Sequence, residues 1–174
     1  MALRSSLKST LAVLALGVCA VFVQGVVLKA FAPTLVVPNL IVILIVYLSF
    51  HRSSISGVLL SFLLGLELDL FSNPALLGPY CASSVAVFAL VSTLSHRLFL
   101  DSFVTVFLAV LLSTLLYEAL YFVVVSEFVL LNISLAEFAR SAFIEALISA
   151  FLAPILFRML SVIKFGSTMR AAMV

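Results

Sequence analysis

Six apolar runs, each near the length of a bilayer-crossing helix, leave this chain little choice of surroundings. A helix needs about 20 apolar residues to cross the hydrocarbon core. The runs cover roughly residues 11–28, 35–50, 55–71, 80–95, 102–126 and 138–160, with a tail at 161–174. Hydrophobic residues make up 66% of the 174 and charged residues only 9%. A soluble domain carries about a quarter charged residues, and a small one lacks the interior to hide so much apolar surface. A soluble enzyme, a nucleic-acid binder and a disordered chain are thereby excluded. The expected fold is all-α: a polytopic membrane protein whose six-helix transmembrane bundle forms a single integral membrane domain over residues 1–174.

The breaks between runs carry the polar punctuation. Arg4 and Lys8 precede the first run and Lys29 closes it. Pro33 and Pro38 favour the start of the second, since proline is tolerated in a first helical turn. His51-Arg52 and His96-Arg97 end two runs, Ser72-Asn73-Pro74 ends another, and Pro154 should kink the last. Ala30-Phe31-Ala32 resembles a signal cleavage site, but the first apolar stretch exceeds a signal core and is read as a retained helix. With six spans, one side collects Arg4, Lys8, Arg52, Arg97, Arg158, Lys164 and Arg170, and the other only Lys29 and Arg140. Basic residues accumulate in cytoplasmic loops, so both termini are expected in the cytoplasm.

No sequence motif points to catalysis. Cys19 and Cys81 sit in apolar segments without metal-type spacing, and CxxC, HExxH, phosphate-loop and GxSxG patterns do not occur. No mid-helix His or Lys pairs with a serine. His51 and His96 read as anchors at headgroup level. Neither an enzymatic role nor a cofactor or metal is expected. The formal charge of +2 offers no broad basic face for nucleic acid.

Polar residues within the runs are more informative, because a charge in hydrocarbon costs roughly 2.5–3.5 kcal/mol on insertion scales. Glu67, Glu118 and Glu145 fall at about 6, 12 and 10 Å from the outer helix ends, at ~1.5 Å per residue. Three acids at similar depth suggest a common cavity or a protein–protein seam in the outer half of the membrane. On the fifth helix Ser113, Thr114, Tyr117, Glu118 and Tyr121 share a face; on the sixth, Glu137, Ser141, Glu145 and Ser149 repeat every four residues. Such stripes should avoid lipid, through ordinary interhelical hydrogen bonds or through a ligand or partner. The third helix carries Ser53, Gly57, Ser61, Gly65 and Asp69 at intervals of four. Small residues so spaced admit another backbone closely, and Asp69 ends the row at the interface.

Between Pro38 and Arg97, Pro38-Asn39 opens one apolar helix; Gly57 and Gly65-Leu66-Glu67-Leu68-Asp69-Leu70 lie on the next; Leu77-Gly78 forms a turn; and Arg97 ends the following helix. This stretch resembles the MreD family of rod shape-determining membrane proteins. Glu67 replaces a usually apolar position, and Asn39 stands where Asp is common. The resemblance implies a fold like the substrate-binding subunits of energy-coupling-factor transporters. It also implies a non-enzymatic scaffold of the bacterial inner membrane, active in cell shape and peptidoglycan synthesis. Its implied partners are MreC and, directly or through it, MreB, RodA and a class B penicillin-binding transpeptidase.

Two functions follow as expectations. In the first, the Gly57–Ser61–Gly65 row and the polar stripes present surfaces to partner helices, and the outer cavity takes up a partner segment. In the second, the chain is the substrate-binding subunit of a small-solute transporter, with Glu67, Glu118, Glu145, Tyr117 and Tyr121 around a pocket.

Overall fold

The computed structural model describes residues 2–28, 37–51, 54–72, 78–95, 102–128 and 134–162. Six α-helices occur among them: α1 (Ala2–Phe22), α2 (Leu40–His51), α3 (Ser54–Ser72), α4 (Pro79–Ser95), α5 (Phe103–Phe128) and α6 (Leu135–Val162). A π-helical segment, Val23–Leu28, continues α1. Several punctuating residues lie outside the described ones, among them Lys29, Pro33, Arg52, Ser53, Asn73, Pro74, Leu77, His96, Arg97, Lys164 and Arg170.

The outside of the bundle is as apolar as its inside. Leu59, Phe71, Leu112, Phe151 and Ile155 are all exposed, as are many other large apolar side chains. In water so large an apolar face would drive association; in a bilayer it is the solvated face. Stretches of α3, α5 and α6 are long and apolar enough to cross a membrane. The chain is a membrane protein.

Helix α2 holds the bundle together and departs most from the pattern expected of it. Every residue from Ile41 to Ser49 is buried, and α2 touches each of the other five helices. A helix apolar all round belongs inside a protein. It is also short: its 12 residues span about 18 Å at ~1.5 Å each, against a hydrocarbon core of about 30 Å. Its start lies at Leu40 rather than near residue 35. Pro38 has no N–H to give a helix, and the Asn39 side chain takes the cap, its Oδ1 accepting the Val42 N–H at 3.2 Å.

The small-residue row of α3 packs against α4 of the same chain. A Cβ on Gly65 would come within 2.7 Å of both the Cys81 Cα and the Tyr80 carbonyl oxygen. One on Gly57 would run into the Phe88 ring, and Ser61 between them is fully buried. The spacing does admit a close neighbour, and that neighbour is α4. The row is therefore not a free face for a partner helix.

Candidate functional site

The broken start of α2 creates a buried polar centre. Backbone that leaves a helix at membrane depth must find hydrogen-bond partners within the protein, and here three side chains supply or support them. The Asn39 N–H donates to Ser149 Oγ of α6 at 2.8 Å, and the Leu40 N–H donates to Gln24 Oε1 of the π-helical segment at 3.0 Å. Asn39 Oδ1 serves Val42, while its side chain lies close to the Glu118 carboxyl group. Glu118 in turn lies close to Glu145. The positive end of the α2 dipole, worth about half a charge, thus lies beside the acids of α5 and α6.

These groups border a cavity of about 720 Å³. Glu118, Glu145, Asn39, Gln24 and Tyr80 line its polar side. Val21, Phe22, Leu68 and Phe71 are among its apolar lining residues. Since α5 ends at Phe128 and α6 starts at Leu135, both acids lie about 15 Å along their helices at ~1.5 Å per residue. That is deeper than the expected 10–12 Å.

The third acid parts company with the other two. Glu67 is not among the cavity's lining residues; its carboxyl group lies against Gly17 of α1. The expectation of one cavity shared by three carboxylates is corrected to two. Glu67 lies on the flank of α3 that meets α1, one residue before Leu68, which does line the cavity.

The tyrosines form a stack behind the polar side. Tyr80 and Tyr121 lie ring on ring, with centroids 4.4 Å apart at 16°, and Tyr117 follows at 6.1 Å from Tyr80. Tyr117 is wholly buried and is not a lining residue. Ser141 is exposed and donates to the carbonyl of Phe138 on its own helix, away from the cavity. Asp69 acts elsewhere, on backbone: its two carboxylate oxygens accept the Tyr80 and Cys81 N–H groups at 3.1 and 3.0 Å. It thereby caps α4, whose entry is made by Gly78 at φ +124° and Pro79 in the first turn.

Sequence reasoning missed Gln24 and Tyr80 as site residues. Gln24 is the one amide side chain in the first apolar run, and that was a usable signal. Tyr80 carried none, because a tyrosine at a helix start reads equally well as an interfacial anchor.

The family model described as rod shape-determining protein MreD matches residues 6–163. No curated protein and no solved structure matches the chain. The likeness to energy-coupling-factor subunits, and the transporter reading with it, gains no support from these comparisons.

Proposed function

Since the chain belongs to the MreD family of rod shape-determining proteins, we propose that it is a non-enzymatic scaffold of the bacterial cell-elongation complex. It sits in the inner membrane with six spans and both termini in the cytoplasm. It binds MreC and, directly or through it, works with MreB, RodA and a class B penicillin-binding transpeptidase in peptidoglycan synthesis. The observation that carries this reading is the family match across residues 6–163, joined to a helical bundle whose exterior is apolar.

In this reading the cavity beside the start of α2 receives a partner segment. The small-residue row of α3 keeps the scaffold's own helices in place. Tyr121 and Tyr117 back the polar side, and Glu118 and Glu145 supply its charge.

The test is genetic and biochemical. Deleting the gene in the bacterium that encodes it should turn rods into spheres, and the intact chain supplied in trans should restore rods and recover MreC on purification. Rods that persist after deletion, or purification without MreC from crosslinked membranes, would count against the proposal. Reporter fusions at each end, scored for cytoplasmic activity, test the topology.

A further inference from the structure

We propose that Glu67 and the leucine seam beside it on α3 receive one membrane-spanning helix of a partner protein, which carries a lysine or arginine near the middle of the bilayer. The proposal deepens the scaffold reading and rests on it only for the existence of a protein partner.

The carboxyl group of Glu67 lies deep. A Cβ on Gly17 of α1 would run into both that carboxyl group and the Leu64 side chain. The acid therefore sits level with Leu64, one turn toward the start of α3. Side chains lean toward the N-terminus of their helix, which carries this one away from the nearer end at Ser72. Leu64 is eight residues before Ser72 and ten after Ser54, about 12 and 15 Å along the axis. Whichever way α3 crosses, the acid is near mid-span and beyond the reach of the headgroups.

Within the chain nothing answers this acid. Its Oε2 is buried and accepts no hydrogen bond. Among the described residues Glu67 makes no ion pair and has no charged neighbour. Acids within membrane spans are rare and pair with other polar groups. Glu118 follows that pattern, standing beside Asn39 and Glu145; Glu67 does not. Protonation does not remove the demand, since a neutral carboxyl group still has an O–H to donate.

The surface next to it is shaped for a helix. Leu59, Leu63, Leu66 and Leu70 follow one another at steps of four, three and four, the spacing at which two helices pack side by side. Leu59 and Leu70 are exposed, and Leu63 and Leu66 are half-buried. Glu67 follows Leu66 at the flanking position where paired helices set their charged side chains. Leucines alone suit lipid as well as protein; the acid decides between them, because acyl chains offer it no counter-charge. A second copy pairing through the same face would bring only another acid to it. A basic side chain on a different protein matches the charge.

The test places a photoreactive residue at Leu63 of the full chain in native membranes. The expected adduct is a membrane-spanning segment of another protein with a Lys or Arg within one turn of the crosslinked residue. Glu67→Met should lower its yield roughly fivefold or more. The same variant should not lower the unfolding temperature of the purified chain in nanodiscs, because the carboxyl group bonds nothing within its own fold. Replacing the partner's basic residue by Met should lower the yield equally, with this chain unaltered. Glu67→Lys combined with Glu at the partner's position should restore it. A photoreactive residue at Leu112, exposed on α5, should not give that adduct.

An adduct with a second copy or with lipid alone, a segment without a basic residue, or full yield in either single variant overturns the proposal. So does a fall in the unfolding temperature of Glu67→Met. Rod-shape rescue by the parent chain reads the scaffold role separately. Rescue without this adduct overturns this inference alone, and the adduct without rescue overturns the scaffold reading alone.

Discussion

Asp69, near the end of α3, accepts the backbone N–H of Cys81 at 3.0 Å and so caps a helix to which it does not belong. Its other oxygen takes the Tyr80 N–H, and the side chain is almost wholly buried. The pair of bonds ties the exit of one helix to the entry of the next across the turn at Gly78.

Removing that cap should unseat α4. Hydrogen bonds to a charged group contribute about 1.5–3 kcal/mol each, so Asp69→Ala should destabilise the chain by roughly 3 kcal/mol or more. Asp69→Asn keeps one acceptor oxygen and should cost less. Thermal unfolding in detergent compares the two, and equal stability of Asp69→Ala and parent would refute the assignment.

Gly65 tests the closeness of α3 to α4. Two of the three atoms that its added Cβ would meet, the Cys81 Cα and the Tyr80 carbonyl oxygen, are backbone atoms, which cannot turn aside as the third, the Ser84 hydroxyl, can. Gly65→Ala should therefore cost near the upper end of the ~1–3 kcal/mol typical of overpacking, and Gly65→Leu should prevent folding of the subunit itself. Gly25→Ala, with nothing within 4 Å of its Cβ, is the matched control and should leave the unfolding temperature unchanged. A Gly65→Leu chain that folds normally and loses only its partner would show instead that the row faces outward.

Asn39 and Ser149 are 110 residues apart in sequence and joined by one buried hydrogen bond. Ser149→Ala leaves the Asn39 N–H without its acceptor, at a cost of about 1–3 kcal/mol. Asn39→Ala removes the Val42 cap, worth about 1 kcal/mol, and the link to Glu118. The Asn39 N–H survives in Asn39→Ala, so the two changes couple only through the shared start of α2, and the double variant should depart from the sum of the two single losses by about 0.5–3 kcal/mol. Strict additivity in a double-mutant cycle would mean that the network is not coupled.

Gln24 is the acceptor that ties the π-helical end of α1 to α2. Gln24→Leu should loosen that end and hasten hydrogen exchange at the Leu40 amide by roughly fivefold or more, for a loss of about 1 kcal/mol. Exchange at the mid-helix Ile45 amide should change far less, and uniform acceleration of both would argue for global destabilisation instead.

Much of this architecture was legible in the order of residues. Six apolar runs correspond to six helices, and the four-residue spacing from Gly57 to Asp69 marked one face of α3 as closely packed. What sequence could not supply was the identity of the neighbour. Lipid and protein interiors are both apolar, so the same small-residue row suits a partner's helix or the chain's own. Glu67 was grouped with Glu118 and Glu145 by depth alone, and depth says nothing of direction around a helix. Helix α2 gave no sign of its central place because its residues are greasy throughout; that same uniformity is what complete burial by five neighbours requires. Pro38-Asn39 marked its true beginning, and the chemistry of a cap, rather than hydropathy, was the better guide to that boundary.

The enclosure of α2 also dictates a schedule. Ser149 leaves the ribosome 110 residues after the Asn39 it must satisfy, a delay of roughly 5–20 s at ordinary synthesis rates. For that interval the central rod of the bundle has neither its far walls nor its last acceptor. Nascent chains halted before α6 should accordingly be prime substrates for membrane proteases, and quality control of this protein becomes a matter of timing as much as of strength.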